Sequence, residues 1–261
     1  MRYLKLLVMF ARTSLLTELE YRANFIGQIF LGLLWAFITL ISVSVFFSHT
    51  HTLGGWTCPQ ALIVVGLFAI INSLIECFLE PNIKRLIEMV RQGTLDFVLI
   101  KPVDSQFMAT LRYSRLNGLG DFSAGVLMIL YAFSQLAYRP SVLNLAHFGF
   151  VLIMGFIVVY SIWVLIATTS FWLVKVNNLT ELFHSVYDTA RFPISTFRGV
   201  LRMVLTYVMP IAFITSFPAQ AILGQLDTLT TLLSALIATI AFIGSNRLWH
   251  YAIRNYSSAS S

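Results

Sequence analysis

Charged residues are scarce in this sequence: Asp, Glu, Lys and Arg together make up only 11% of its 261 residues, whereas a soluble domain has about 25%. Hydrophobic residues make up 58%, and the mean hydropathy is +0.82. So little charge cannot cover a water-facing surface, which excludes soluble enzymes, coiled coils and disordered tails. At about 20 residues per membrane-spanning helix, the chain accommodates roughly six spans, so we predict an all-α polytopic membrane protein.

Cysteine is also rare, since only Cys58 and Cys77 are present. If the segment between them is one helix, they lie about 28 Å apart, far beyond the reach of a disulfide. The five histidines are scattered and no H-E-x-x-H motif occurs, so the sequence predicts no metal site.

Motifs for nucleotide binding and hydrolysis are absent as well. No Lys follows a Gly, which excludes the phosphate-binding loop, and no G-x-S-x-G nucleophile elbow occurs. The net charge of +6 does not indicate nucleic-acid binding, because no basic run is interleaved with aromatic residues. The chain is therefore expected to bind no cofactor and no nucleic acid, and any ATP that it uses must be bound by another subunit.

Long runs with at most one charge indicate where the chain crosses the membrane. Residues 1–22 precede them and space basic side chains among leucines, which is typical of an amphipathic helix lying in the membrane interface. The spans with clear signals are predicted at 24–47, 59–79, 116–138, 147–174 and 228–246.

The distribution of basic residues predicts the orientation. Residues 80–115 contain six Lys and Arg side chains, and the positive-inside rule therefore places this segment in the cytoplasm. The basic N-terminus lies on the same side, whereas the loop at 49–58 has no Lys or Arg and is predicted to be outside. Both termini are then cytoplasmic.

The C-terminal third allows two topologies. In the first, 178–196 is the fifth span, and 198–226 dips into the membrane from the outside as a broken helical hairpin. In the second, the fifth segment lies on the inner surface and 203–226 is the span. The positive-inside rule favours the second, because it places three arginines inside. Pro210 and Pro218 favour the first, because each breaks a helix and leaves carbonyls unpaired.

Five charged residues lie in or near the spans and are candidates for a function inside the membrane. Glu76 and Glu80 lie one turn apart at the inner end of the second span, where a water-facing pair is the simpler interpretation. Asp121 lies near the inner end of the third span, and Asp188 is expected to pair with Arg191. A proton relay would use such acids, so an ion- or proton-coupled secondary transporter is an alternative function.

Residues 90–107 read VRQGTLDFVLIKPVDSQF, which resembles the R-x-G-x-L-D-x-x-L-x-[RK]-P-x-x-x-x-F signature of a mostly uncharacterised branch of type-2 ABC exporter permeases. Residues 191–224 are similar to the segment before the last span of that family, and 256–260 are similar to its C-terminal ending. Lys101 stands where the family more often has Arg. The residues that match the signature are Arg91, Gly93, Leu95, Asp96, Leu99, Lys101, Pro102 and Phe107.

This resemblance implies a six-helix permease in the plasma (inner) membrane of a prokaryote. Two such subunits, identical or related, would enclose an export path, and two separate ABC ATPase subunits with bound ATP and Mg²⁺ would drive it. The resemblance also favours the first topology, because these permeases carry short re-entrant helices on the outer side before the last span.

The signature also makes physical sense as an element that receives a push from an ATPase. Gly93 permits a tight turn, Asp96 suits the start of a short helix, and Pro102 ends that helix. We therefore interpret 80–115 as the ATPase-coupling segment. An ordinary basic loop would show the same residue types, and a non-transporting membrane scaffold is a further alternative for the chain.

Overall fold

The computed structural model describes residues 2–20, 22–115, 118–173 and 177–256, and within these ranges the chain is helical, with connecting turns and no β-sheet. A single π-turn at Ile75–Leu79 joins the third helix to the fourth, so Cys58–Arg91 forms one rod of about 51 Å. The helices are α1 (Arg2–Glu20), α2 (Arg22–His49), α3 (Cys58–Leu74), α4 (Glu80–Arg91), α5 (Asp96–Leu99), α6 (Ser105–Leu111), α7 (Leu119–Gln135), α8 (Val142–Thr169), α9 (Asn177–Tyr187), α10 (Gly199–Met203), α11 (Ser216–Ile222) and α12 (Thr228–Arg254).

The prediction of an all-α polytopic membrane protein is confirmed. Length and composition give four candidate spans among the described residues, or five if one pair of helices bent by 65° is counted as a span, where the sequence predicted about six. Helix α7 is apolar but only 17 residues long, about 26 Å, which is slightly less than the hydrocarbon core of a bilayer. The four long helices are Phe25–His49, Cys58–Arg91, Val142–Thr169 and Thr228–Arg254, and the bent pair is Gly199–Val208 with Ile211–Ile222.

Helices α8 and α12 begin at the same end of the bundle and run parallel. His147 of α8 and Thr231 of α12 form a hydrogen bond of 2.7 Å near their starts, and the rings of Phe171 and Trp249 meet near their other ends, 5.8 Å apart. The backbone N–H and the hydroxyl of Thr230 both donate to the Asp227 carboxylate. These bonds cap the start of α12 and hold the pKa of Asp227 below its usual range.

The structure divides the predicted span 178–196 into a helix and two tight turns. Helix α9 ends at Tyr187, and 3₁₀ turns follow at Asp188–Arg191 and Ile194–Thr196. Pro193 lies between these turns and has no backbone N–H to continue an α-helix. The segment is therefore not one continuous helix.

The path of this divided segment nevertheless runs along the bundle. Phe183 packs on Trp163, which lies toward the C-terminal end of α8, with ring centroids 5.4 Å apart. Farther along the chain, the Ser195 hydroxyl donates to the Gly54 carbonyl at 2.7 Å, and the Trp56 indole N–H donates to Ser195 Oγ at 3.1 Å. The chain therefore reaches the loop that precedes α3, at the opposite end of the bundle.

The next segment leaves that end and returns to it. Midway, Phe213 lies against Gly155 of α8, and a Cβ at Gly155 would approach the Phe213 carbonyl oxygen to 2.3 Å. Gly224 then lies beside Tyr138, and its neighbour Leu223 packs in the same apolar cluster as Trp56. The segment 195–224 thus begins and ends at the same end of the bundle.

Glycines allow the central helices to approach closely. A Cβ at Gly125 of α7 would lie 2.6 Å from the Gly66 carbonyl oxygen of α3, and a Cβ at Gly66 would lie 2.8 Å from the Gly125 carbonyl oxygen. Helix α2 meets α7 in the same way, because a Cβ at Gly120 would lie 2.7 Å from the Ile29 carbonyl oxygen. Small residues at such crossings are typical of helices that pack in lipid.

We expect Gly125→Ala to destabilise the protein by about 1–3 kcal/mol, because the added methyl group forces α3 and α7 apart. Thermal unfolding in detergent measures this change. Gly149→Ala is the matched control, because a Cβ at Gly149 of α8 meets nothing within 4 Å. The control variant should unfold at or above the temperature of the unaltered protein, since Ala favours helix over Gly. Equal unfolding temperatures for the two variants would contradict the close contact.

Candidate functional site

Gly93 ends α4 with a turn that a side chain would strain. Its φ is +69°, in the left-handed region that favours glycine. The Thr94 N–H donates to the Met89 carbonyl at 2.9 Å, and the Gly93 N–H donates to the Val90 carbonyl at 3.3 Å. These two bonds form a Schellman motif. The tight turn that the sequence predicted at this position is therefore present.

The short helix α5 turns some of its apolar residues inward and others outward. Leu95, just before the helix, is fully buried, and Val98 lies in the same apolar core. Phe97 and Ile100 face outward and are 68% and 78% exposed. The sequence interpretation selected Leu95 and missed the outward pair. The run LDFVLI carries more apolar residues than one buried face requires, which is the signal that could have identified them.

The polar residues of the signature lie around α5. Asp96 is the first residue of the helix, as the sequence suggested, and Arg91 pairs with Glu88 at 2.7 Å on the exposed end of α4. Pro102 and its half-buried neighbour Lys101 follow the helix. Another short helix, α6, begins at Ser105. Pro102 therefore lies between the end of α5 and the start of α6, and α6 separates it from the third span.

Helix α6 fastens the segment to the two long parallel helices. The Gln106 amide donates to the Tyr160 hydroxyl of α8 at 3.3 Å, and Thr110 forms a second hydrogen bond of 3.1 Å with the same hydroxyl. The Trp249 indole N–H of α12 donates to Ser105 Oγ at 3.3 Å. A displacement of α6 would therefore act directly on α8 and α12.

Phe107, the last residue of the signature, holds the N-terminal helix. Its ring meets the edge of Tyr3 with centroids 4.9 Å apart and lies 6.5 Å from the ring of Phe10. A backbone contact extends this attachment, since the Ser114 N–H donates to Ser14 Oγ at 3.2 Å. From the sequence, Phe107 was only a residue that matches the signature, and its contact with α1 is seen in the structure alone.

A second candidate site is a cavity of about 400 Å³ between α2, α3, α7 and the turn at Asp188–Arg191. Four of the five predicted membrane charges line it together, alongside Asn72 and several apolar side chains. Glu80 does not, because it pairs with Lys84 one turn farther along α4. The four charged residues are Glu76, Asp121, Asp188 and Arg191.

The charges in this cavity have different partners. Arg191 pairs with Asp188 at 3.1 Å, as their spacing predicted, and its guanidinium lies 5.4 Å from the centre of the Phe68 ring. The Asn72 amide donates to Glu76 at 2.8 Å. The Asp121 carboxylate forms no hydrogen bond or ion pair with the described residues. A polar cavity of this kind, next to apolar helices, is suited to a polar or charged group.

Phe107→Ala should release α1 from α6, because it removes both aromatic contacts. Limited trypsin digestion at Lys5 and Arg12 measures the release, and cleavage there should become several-fold faster. Phe97→Ala removes the same side chain from an exposed position of the same segment and serves as the control. We expect no change in cleavage for the control, and similar rates for the two variants would show that Phe107 does not hold α1.

Comparison with known families adds to this geometry. The family model described as ABC-2 family transporter protein matches residues 33–260. No curated protein matches the chain. Residues 257–260, part of the C-terminal resemblance, lie outside the described residues, as does the start of the predicted span 116–138. Because the family match covers most of the sequence, the resemblance to type-2 ABC permeases is confirmed, and the chain belongs to the ABC-2 transporter family as a membrane permease component.

Proposed function

We propose that the chain is the transmembrane subunit of an ABC exporter, in which substrate moves along a path between two permease subunits and separate ATPase subunits supply the energy. Membership of the ABC-2 family supports the permease function. The observation that carries the coupling is the exposed pair Phe97 and Ile100. Phe97 lies on α5 and Ile100 directly follows it, and the other side of this helix is packed into the core.

Two large apolar side chains in water are an unfavourable arrangement that a partner would relieve. Burying each of them stabilises a complex by roughly 1.5–3 kcal/mol. Phe97 and Ile100 lie three residues apart, the spacing with which a short helix anchors itself in an apolar groove. The partner that fits is an ABC ATPase with an apolar groove on its membrane-facing side. Arg91 and Lys101 would flank the contact with positive charge.

The connections of α5 to the long helices explain how a movement caused by the ATPase would reach the membrane-spanning part of the protein. The rod Cys58–Arg91 leads from the Gly93 turn along the bundle to the opposite end. Helix α6, immediately after α5, is hydrogen-bonded to α8 and α12 through Tyr160 and Trp249. A movement of α5 would therefore reach three long helices through stiff connections, whereas a flexible loop would absorb it.

The polar cavity and α2 suggest where substrate would pass. Helix α2 is long and apolar but little buried, and residues such as Trp35 and Phe37 are exposed along it. We propose that this face meets the second permease subunit, identical or related. The cavity with Glu76, Asp121 and Arg191 opens beside α2 and would then face the path.

We also propose the first topology, in which 178–196 crosses the membrane as a broken span and 198–226 re-enters from the outside. The hydrogen bond between Ser195 and Gly54 supports the crossing, and the position of Gly224 beside Tyr138 supports the return. The prolines and the resemblance favoured this arrangement from the sequence, against the positive-inside rule.

Replacing Phe97 and Ile100 together by Ser should weaken the association with the ATPase at least tenfold, because both apolar anchors are lost. Co-purification from membranes measures the association, and hydrolysis in lipid measures its consequence. The permease alone should hydrolyse no ATP. In the control, Val142 and Leu143, which are exposed at the other end of the bundle, are both replaced by Ser. If both double variants retain the ATPase equally, α5 is not the contact.

Cysteine labelling distinguishes the two topologies. In a variant without Cys58 and Cys77, Arg198→Cys should react with an impermeant thiol reagent from the outside, and Gln225→Cys should do the same. Gln92→Cys should react only after the membrane is opened. The second topology would instead place residue 198 inside, so an Arg198→Cys variant that needs an opened membrane would contradict the proposal.

A further inference from the structure

A cavity of about 720 Å³ lies between α1 and the cytoplasmic segment, and neither the motif nor the transport path accounts for it. One wall is the side of α1 that carries Phe10, Thr13 and Ser14. The other wall contains the beginning of α4 and the residues that follow α6. The basic side chains in this wall are Lys84, Arg85, Arg112 and Arg115.

The positive charge of this cavity is not balanced by the described residues that line it. Lys84 pairs with Glu80, and Glu88, the acid in the cavity wall, pairs with Arg91. The guanidinium groups of Arg85, Arg112 and Arg115 form no ion pair with the described residues. Like charges held in one partly enclosed space repel each other, and a bound anion would relieve that repulsion.

The arrangement of these donors suits a phosphate ester. Arg85 and Arg112 both lie over the ring of Tyr113, at 4.0 and 5.1 Å from its centre, which holds two guanidinium groups in place on one support. Planar guanidinium groups match the oxygens of a phosphate with paired hydrogen bonds. Ser14 Oγ accepts a bond from the Ser114 N–H, which leaves its hydroxyl proton available to donate to the same anion.

The apolar surface next to the cavity indicates that the phosphate belongs to a lipid. Helix α1 exposes Leu4, Val8 and Leu16, in the manner of a helix that lies in the membrane interface. Met9 and Phe10 continue this apolar surface into the cavity. A phospholipid could therefore place its acyl chains along α1 and its phosphate among the arginines, as basic cavities on the cytoplasmic side of membrane proteins do.

We propose that this cavity binds the head group of an anionic phospholipid, with Arg85, Arg112, Arg115 and the Ser14 hydroxyl as its phosphate ligands. The bound lipid then fastens α1 to the coupling segment by bridging the two walls of the cavity. This inference does not depend on the direction of transport or on the ATPase contact.

The test uses delipidated full-length protein in neutral detergent, with short-chain phosphatidylglycerol, short-chain phosphatidylcholine and inorganic phosphate added separately. Phosphatidylglycerol should raise the unfolding temperature by several degrees, because a ligand that binds only the folded state stabilises it. Phosphatidylcholine should have a much smaller effect. Equal stabilisation by inorganic phosphate would assign the cavity to a soluble phosphate and overturn the lipid proposal.

A charge-matched pair of variants localises the effect. Replacing Arg112 and Arg115 by Gln should weaken phosphatidylglycerol binding at least tenfold. Replacing Arg247 and Arg254 by Gln removes the same charge from exposed positions on α12 and should leave the binding unchanged. An equal loss in both variants would show that only the overall charge matters, and no loss in either would exclude this cavity as the site.

Ser14→Ala provides a second test in case the variant with Arg112 and Arg115 replaced by Gln fails to fold. Ser14→Ala removes a single oxygen, and with it the hydrogen bond from the Ser114 N–H. It should lower the affinity for phosphatidylglycerol several-fold while the lipid-free protein stays folded. If Ser14→Ala binds phosphatidylglycerol as tightly as the control with Arg247 and Arg254 replaced by Gln, the proposed set of phosphate ligands is overturned.

Discussion

The close approach of helix backbones at glycine is the constraint on which the rest of this structure depends. In lipid, apolar side chains gain little by leaving their surroundings, so association relies on van der Waals contact between well-fitted helices. Gly66 and Gly125 bring α3 and α7 together, and Gly120 brings α7 to α2. The charged cavity lies beside these crossings, between α2, α3 and α7. Its shape is therefore a consequence of where the glycines are.

A second consequence concerns stiffness at the end of the bundle that carries α5 and α6. The rod Cys58–Arg91 stops at the left-handed turn of Gly93, and α5 and α6 fold back against the long helices. Hydrogen bonds of Gln106 with Tyr160 and of Ser105 with Trp249 hold α6 in place. The exposed residues Phe97 and Ile100 therefore belong to a segment that is held rigidly against the long helices. An exposed apolar pair on a rigid support is what the proposed contact with the ATPase requires.

The charged residues fall into two groups, one around the cavity next to α1 and one around the cavity next to α2. Around α4, Glu80 and Glu88 neutralise neighbouring basic residues, which leaves three arginines around the cavity under α1. Inside the bundle, the pair of Asp188 and Arg191 is local, and the Asp121 carboxylate has no partner among the described residues. The two cavities therefore differ in the sign of their charge: the cavity next to α1 is basic, and the cavity next to α2 is acidic. They are suited to different ligands.

The sequence by itself determined the fold class, the long apolar helices and the turn at Gly93, because these depend on local composition and on backbone geometry that a few neighbouring residues set. It also predicted the pair Asp188 and Arg191, which lie on adjacent turns. It could not assign the broken segment 178–196, since local charge and proline signals there favour opposite topologies. Only the tertiary structure brought Ser195 to Gly54, gathered Glu76 and Asp121 into one cavity, and turned Phe97 outward while Leu95 was buried. The reason is physical: each of these outcomes depends on contacts between residues far apart in the chain, and a local pattern does not contain them.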